Sequence, residues 1–81
     1  MAKVGWQKGG TADVVKLEGD AIVLRSTIPS PPGSRVPGVV VNTEHLVCVK
    51  VHTSKRQDDG SFVIEGRLID ATRELRALLN S

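Results

Sequence analysis

Residues 46–53 alternate apolar and polar almost without a break, with Val47, Val49 and Val51 on one side and Cys48, Lys50 and His52 on the other. A period of two belongs to a strand, and β-branched residues suit a pleated, half-buried surface better than a helix. The run therefore predicts a strand with one buried face. Asp58-Asp59-Gly60 follows as a hairpin turn signal, and residues 61–68 alternate again, placing Phe62, Ile64, Gly66 and Leu68 together. Any fold open to this chain has to bury one side of these two antiparallel strands.

With 81 residues, surface-to-volume scaling allows one modest core, and hence one domain. That core is aliphatic, since the chain has one Trp, one Phe and no Tyr. Residues 13–17 read as a strand, Glu18-Gly19-Asp20 as a turn and residues 21–24 as a second strand, which together make a hairpin. Pro29-Ser30-Pro31-Pro32-Gly33 stops regular structure as a rigid loop, because proline removes amide donors and fixes φ. Residues 35–38 resume weakly, with Pro37 confining them to an edge or a strand end. Residues 39–41 form the next strand, interrupted at Asn42-Thr43-Glu44-His45.

Beyond Ile69 the pattern becomes helical. Asp70 or Thr72 serves as the cap, Leu75, Leu78 and Leu79 form the apolar stripe, and Arg73, Glu74 and Arg76 are expected to face solvent. Residues 1–11 are Gly-rich, polar and without periodicity, and read as a flexible N-terminal arm. Trp6 in that arm either folds back over the barrel or marks a contact surface. The predicted fold is mostly β: a small antiparallel six-stranded β-barrel over residues 12–81 with a C-terminal α-helix, because closure removes exposed sheet edges.

Eleven basic residues stand against nine acidic ones, a net charge of +2 with a pI near 9.0, and the signs alternate along the chain. Phosphate contact is compatible with that balance, but no run of Lys or Arg forms a nucleic-acid arm or a membrane-binding patch. A single cysteine, Cys48, excludes an internal disulfide, and no stretch is apolar enough for a signal peptide or a membrane span. A cytoplasmic location is the default expectation.

Catalytic equipment is not legible. His45 and His52 lack neighbours at zinc-ligand spacing, and Cys48 has no activating base beside it. Ser26, Ser30, Ser34 and Ser54 are read as loop serines outside any nucleophile elbow, and Asp58-Asp59 is turn chemistry. Gly9-Gly10 and Gly33 match neither phosphate-binding fingerprint. The expectation is no catalytic, cofactor-binding or metal-binding residue, hence a protein that acts by binding. Arginine's planar fork suits phosphates and carboxylates. Of Arg25, Arg35, Arg56, Arg67, Arg73 and Arg76, the first two bracket the proline loop, and Trp6, Arg25, Arg35, Arg67 and Arg73 are the candidate partner contacts.

The segment Leu24-Arg25-Ser26-Thr27-Ile28-Pro29-Ser30-Pro31-Pro32-Gly33-Ser34-Arg35-Val36 resembles the stretch after the first hairpin of PilZ domains, where a strand ends in Arg-Ser or Arg-Thr, passes a proline-rich bend and restarts. Gly60-Ser61-Phe62-Val63-Ile64-Glu65-Gly66-Arg67-Leu68-Ile69, leading to Thr72-Arg73-Glu74, is similar to PilZ-like proteins whose last strand runs into a helix. Residues 12–79 are covered. The resemblance implies a bacterial barrel-plus-helix domain from a family that binds cyclic di-GMP through an Arg-x-x-x-Arg segment before the barrel and an Asp-x-Ser-x-x-Gly segment on it.

Both segments are missing here. No Arg precedes Arg25, and Lys16-Leu17-Glu18-Gly19-Asp20-Ala21 stands where the second is expected, so Glu18 and Asp20 would repel a dianion. The family's ligand residues do not carry over. The reading favoured is a PilZ-like adaptor acting through another protein, in signalling or motility. Its alternatives are a cyclic di-GMP receptor using arginines outside the family motifs, and a basic barrel binding nucleic acid through Trp6, Lys3, Lys8, Arg25 and Arg35. The exposed strands or the helix leucines also offer a surface on which two copies could pair.

Overall fold

The alternating pattern resolves into six strands: β1 (Lys3–Trp6), β2 (Thr11–Glu18), β3 (Ala21–Ser26), β4 (Arg35–Val40), β5 (Leu46–Arg56) and β6 (Phe62–Leu68). One helix, α1 (Arg73–Leu79), follows them. The structure, a computed structural model, describes residues 2–80; Met1 of the predicted arm and Ser81 at the predicted domain end lie outside the described residues. The strands close into an antiparallel barrel in the order β1-β2-β3-β6-β5-β4. The predicted mostly β, six-stranded barrel with a C-terminal helix is thus the observed fold.

The sixth strand is not where the sequence suggested. Residues 35–38 continue through Val39 and Val40 as β4, with Val41 already in the following turn, and the missing strand comes from the segment read as a flexible arm. β1 pairs with β2 on one side (Val4↔Ala12) and with β4 on the other (Val4↔Val40), so the barrel begins at Lys3 and not at residue 12. The physical reason lies in its two large side chains: Val4 and Trp6 alternate inward and are 0% and 5% exposed. A four-residue strand carries too short a pattern to stand out beside Gly9 and Gly10, yet it supplies two core residues and closes the ladder.

Inside the barrel, Val14, Ile22, Leu24, Val36, Val40, Val47, Val49, Val51, Ile64 and Leu68 form one contiguous core with Val4 and Trp6. Each fully buried aliphatic side chain of this kind contributes on the order of 2 kcal/mol through area removed from water. Trp6 fixes its ring by donating Nε1–H to the buried Ser26 Oγ at 3.0 Å. Ser26 in turn donates to the Ile28 carbonyl and accepts from the Ile28 amide, so the hydroxyl ties the ring to the start of the proline loop. A serine read as a loop residue is therefore a core residue at the end of β3.

Two backbone details shape the outer surface. Pro37 sits within β4, one position past the last β1 pair (Trp6↔Gly38), so its missing amide falls where the β1 ladder stops; its carbonyl accepts from the Gln7 amide at 3.0 Å. Gly66 packs its Cα so tightly that a Cβ there would lie 2.4 Å from the Lys50 carbonyl oxygen, which makes glycine obligatory at that β5–β6 crossing. The Asp-Gly signal is part of the β5–β6 hairpin as expected, with Gly60 at φ +87° and Gln57 and Ser61 closing the loop.

α1 covers one end of the barrel. Thr72 is its cap, its Oγ1 accepting from the Leu75 amide at 3.1 Å, while Leu75 and Leu79 are buried against the core. Arg73 and Glu74 are exposed as expected, but Arg76 is half-buried: its guanidinium lies 3.0 Å from the Asp20 carboxylate and also donates to the Ala71 carbonyl. That contact fastens the helix to the β2–β3 turn. At seven residues the helix is far too short to cross a membrane, and no described helix is long and apolar enough to do so.

Candidate functional site: an apolar groove beside a row of cations

Strand alternation sends every second side chain outward, and where β1, β4 and β5 meet, one outward patch is apolar: Gly5, Pro37, Val39, Leu46 and Cys48. Register places Gly5 beside Val39 and Val39 beside Leu46; the next row along the strands runs Pro37, Cys48 and then Ile69, whose amide donates to the Cys48 carbonyl at 2.9 Å. Gly5 has no side chain and Pro37 a flat one, so the surface dips between them. The result is a groove of about 750 Å³ lined by these residues together with Trp6, Gln7, Gly38, Val47 and Asp70. Leu46 stands at its side, 76% exposed, the most exposed large apolar side chain described.

A third row follows two residues farther along each strand, roughly 7 Å away at a strand's rise. Arg35 of β4 pairs with Lys50 of β5, and Lys50 pairs with Arg67 of β6, which places three exposed cations side by side on adjacent strands. Like charges directly opposite on a sheet are destabilising. None of the three takes part in an ion pair with a described residue; the pairs present are Lys3–Asp13, Lys16–Glu18, His45–Glu74 and Arg76–Asp20. Glu65, two residues before Arg67, has its carboxylate engaged by the Thr53 hydroxyl at 2.9 Å.

The predicted contact residues do not form one site. Arg35 and Arg67 come together through Lys50, which sequence reasoning placed on the solvent side of its strand without assigning it a role. Arg25 lies elsewhere on the barrel, between Asp13 of β2 and Val63 of β6. Arg73 and Arg76 border a shallow depression with Leu17, Gly19, Ala77 and Asn80 near the helix. Trp6 is in the core, so of its two readings the ring folded into the barrel is the observed one. The groove under the proline loop is lined by Arg56, Phe62, Ser54 and residues 29–32, not by the Arg25 and Arg35 that bracket the loop in sequence.

Electrostatics near the β2–β3 turn also differ from expectation. Glu18 and Asp20 do not stand bare: Lys16 lies 3.3 Å from Glu18 and Arg76 lies 3.0 Å from Asp20, which offsets much of their repulsion toward an anion. They share a small pocket with Ala21, His52, Gly66 and Arg67. Cys48, half-buried, lines the apolar groove and packs as a small side chain would. Among the described residues no three His, Cys, Asp or Glu side chains gather in one place as metal ligands.

No protein-family model, curated protein or solved structure matches this chain.

Proposed function

We propose that this chain is a non-enzymatic, PilZ-like binding domain that acts by docking a protein partner on the outer face of β1, β4 and β5. One observation carries the reading: an outward-facing apolar surface, with Leu46 three-quarters exposed, on a barrel whose core is already complete without it. Contiguous apolar surface on a small domain marks an interaction site more often than a scattered exposed residue does. A closed barrel followed by one helix supports the reading, since a barrel-plus-helix domain is what the PilZ resemblance implies. That resemblance extends the reading to a bacterial signalling or motility pathway, with the cytoplasm as the setting.

The groove suits a protein better than a nucleotide. Its walls are aliphatic, and the residues at the positions of the family's cyclic di-GMP motifs are of other types. The nucleic-acid alternative has its cations divided, with Lys3 beside Asp13 and Arg25 on other strands than Arg35, and it loses its stacking platform, since Trp6 is enclosed by the core.

Affinity capture from cell extract, run in parallel with wild type and Leu46→Ser, tests the reading. A partner retained by wild type and released by the variant is the expected result; a partner held equally by both would move the interface elsewhere. Calorimetry with cyclic di-GMP is expected to give no heat, and saturable binding would replace this reading with a nucleotide receptor.

A further inference from the structure

Taking the docking reading above as its premise, we infer that the partner presents an acidic amphipathic helix, its apolar stripe in the groove and its carboxylates on Arg35, Lys50 and Arg67. Across the groove the backbone is already paired, β1 to β4, β4 to β5, and Cys48 of β5 to Ile69, so a partner docking there adds no strand by backbone hydrogen bonds. Recognition falls to side chains. The element that offers side chains in rows along a rod is a helix.

The spacings match. Adjacent strands lie about 4.8 Å apart, so a row crossing β4, β5 and β6 spans about 10 Å, while two turns of helix advance about 11 Å. A helix lying along the rows, across the strands, keeps successive turns over successive strands. Its apolar residues meet Val39, Leu46, Cys48 and Ile69, and a flank one row away meets the cations.

Charge chooses the flank. The three cations are held opposite one another with no ion pair to a described residue, an arrangement that an acidic neighbour would relieve and a basic one would worsen. The acids nearby do not reverse this sign. Asp70 lies at the groove itself, Glu65 is engaged by Thr53, and Glu18 and Asp20 beside Arg67 each have their own cation. An exposed carboxylate on the partner therefore finds a net positive strip, and Asp70 limits it to the side away from the groove's Ile69 end.

The test uses the full chain against a display library of amphipathic helices about 18 residues long, a length that sustains a helix in solution. Each has a fixed Leu and Ile stripe, with Glu, Lys, Ser or Gln drawn at random on the flanks. Wild type is expected to enrich Glu on one flank only. A triple variant, Arg35→Glu, Lys50→Glu and Arg67→Glu, is expected to bind the selected helices about tenfold more weakly, the loss anticipated when three partly exposed ion pairs are reversed, and to enrich Lys instead. If the triple variant fails to fold, Lys50→Glu alone, checked by its circular dichroism melt, carries the same reversal in weaker form.

Selection without a flank preference, or for Lys, overturns the acidic helix. If Leu46→Ser still abolishes that binding, docking on the groove survives it. Failure of wild type to enrich any helix overturns the helix, and capture of a partner with Leu46→Ser as control decides docking separately. Salt-sensitive binding of a single-stranded oligothymidylate on the same cations, with no helix enriched, overturns the proposal in favour of nucleic acid.

Discussion

Ser26 illustrates how one polar atom can hold several elements. Its hydroxyl is buried, receives the Trp6 indole N–H and the Ile28 amide, and donates to the Ile28 carbonyl. Ser26→Ala removes little volume but strands a buried indole N–H, and an unsatisfied buried donor costs about 2 kcal/mol. Urea unfolding of this variant is expected to show that loss with an unchanged m-value.

Asp59 shows the same economy at the surface. Its carboxylate accepts from the Ser61 hydroxyl at 2.6 Å and from the Ser61 amide at 2.9 Å, and these bonds, the hydroxyl first, hold its pKa below the usual carboxylate value, with Arg25 adding a smaller pull. A folded pKa below the unfolded one stabilises the fold above the unfolded value, and that contribution is lost as pH falls through the folded one. The β5–β6 loop is thus expected to loosen only below the ordinary aspartate range. An NMR titration of the Asp59 carboxyl should find its midpoint moved upward in Ser61→Ala.

At the scale of the element, β1 is the sharpest test of the fold. It is hydrogen-bonded to both β2 and β4, and it brings Val4 and Trp6 inside. Deleting residues 2–7 would open two strand edges at once and empty part of the core, so we expect loss of the cooperative melt and aggregation on size-exclusion chromatography. A mobile arm would leave both unchanged. β1 was illegible because four residues hold only two inward positions, too few for a period to show. β5 was legible because Val47, Val49 and Val51 repeat the signal three times, and α1 because its leucines and the Thr72 cap agree.

The cation row was hidden for a different reason. Lys50 was already assigned to the outer face of its strand, but its neighbour depends on register. Counting back from the hairpin pair Arg56↔Phe62 would set Lys50 opposite Leu68, an inward residue; the irregularity between Val51 and Thr53 shifts it opposite Arg67 instead. A slip of one residue exchanges the faces of a strand, so a single bulge decides whether these charges meet. Its presence is not written in any local pattern of the chain. The Arg35 and Arg67 assignments were legible by type, their juxtaposition was not; Arg25 joined the same list because it brackets the proline loop in sequence, and Trp6 as the lone tryptophan of the N-terminal segment.

For the molecule as a whole, the barrel separates stability from binding by the pleat of its strands. Inward side chains fill one core; outward ones on β1, β4 and β5 make the groove, and adjacent residues fall on opposite sides of that division. Leu46 and Val47 are the clearest pair, 76% and 3% exposed. Leu46→Ser removes an apolar side chain that packs little within the chain, so its unfolding free energy is expected to change by no more than about 0.5 kcal/mol, as for other surface substitutions. Val47→Ser buries a hydroxyl among aliphatic neighbours and leaves a small void, at a cost of about 3 kcal/mol. If the outer face is the binding surface, partner capture is lost in Leu46→Ser with the melt intact, whereas Val47→Ser lowers the melt first and binding only as the folded fraction falls. Thermal denaturation and capture measured on the same two proteins distinguish these outcomes. A parallel loss of stability in both variants would mean that Leu46 supports the fold after all, and the groove would then lose its claim to be a docking surface.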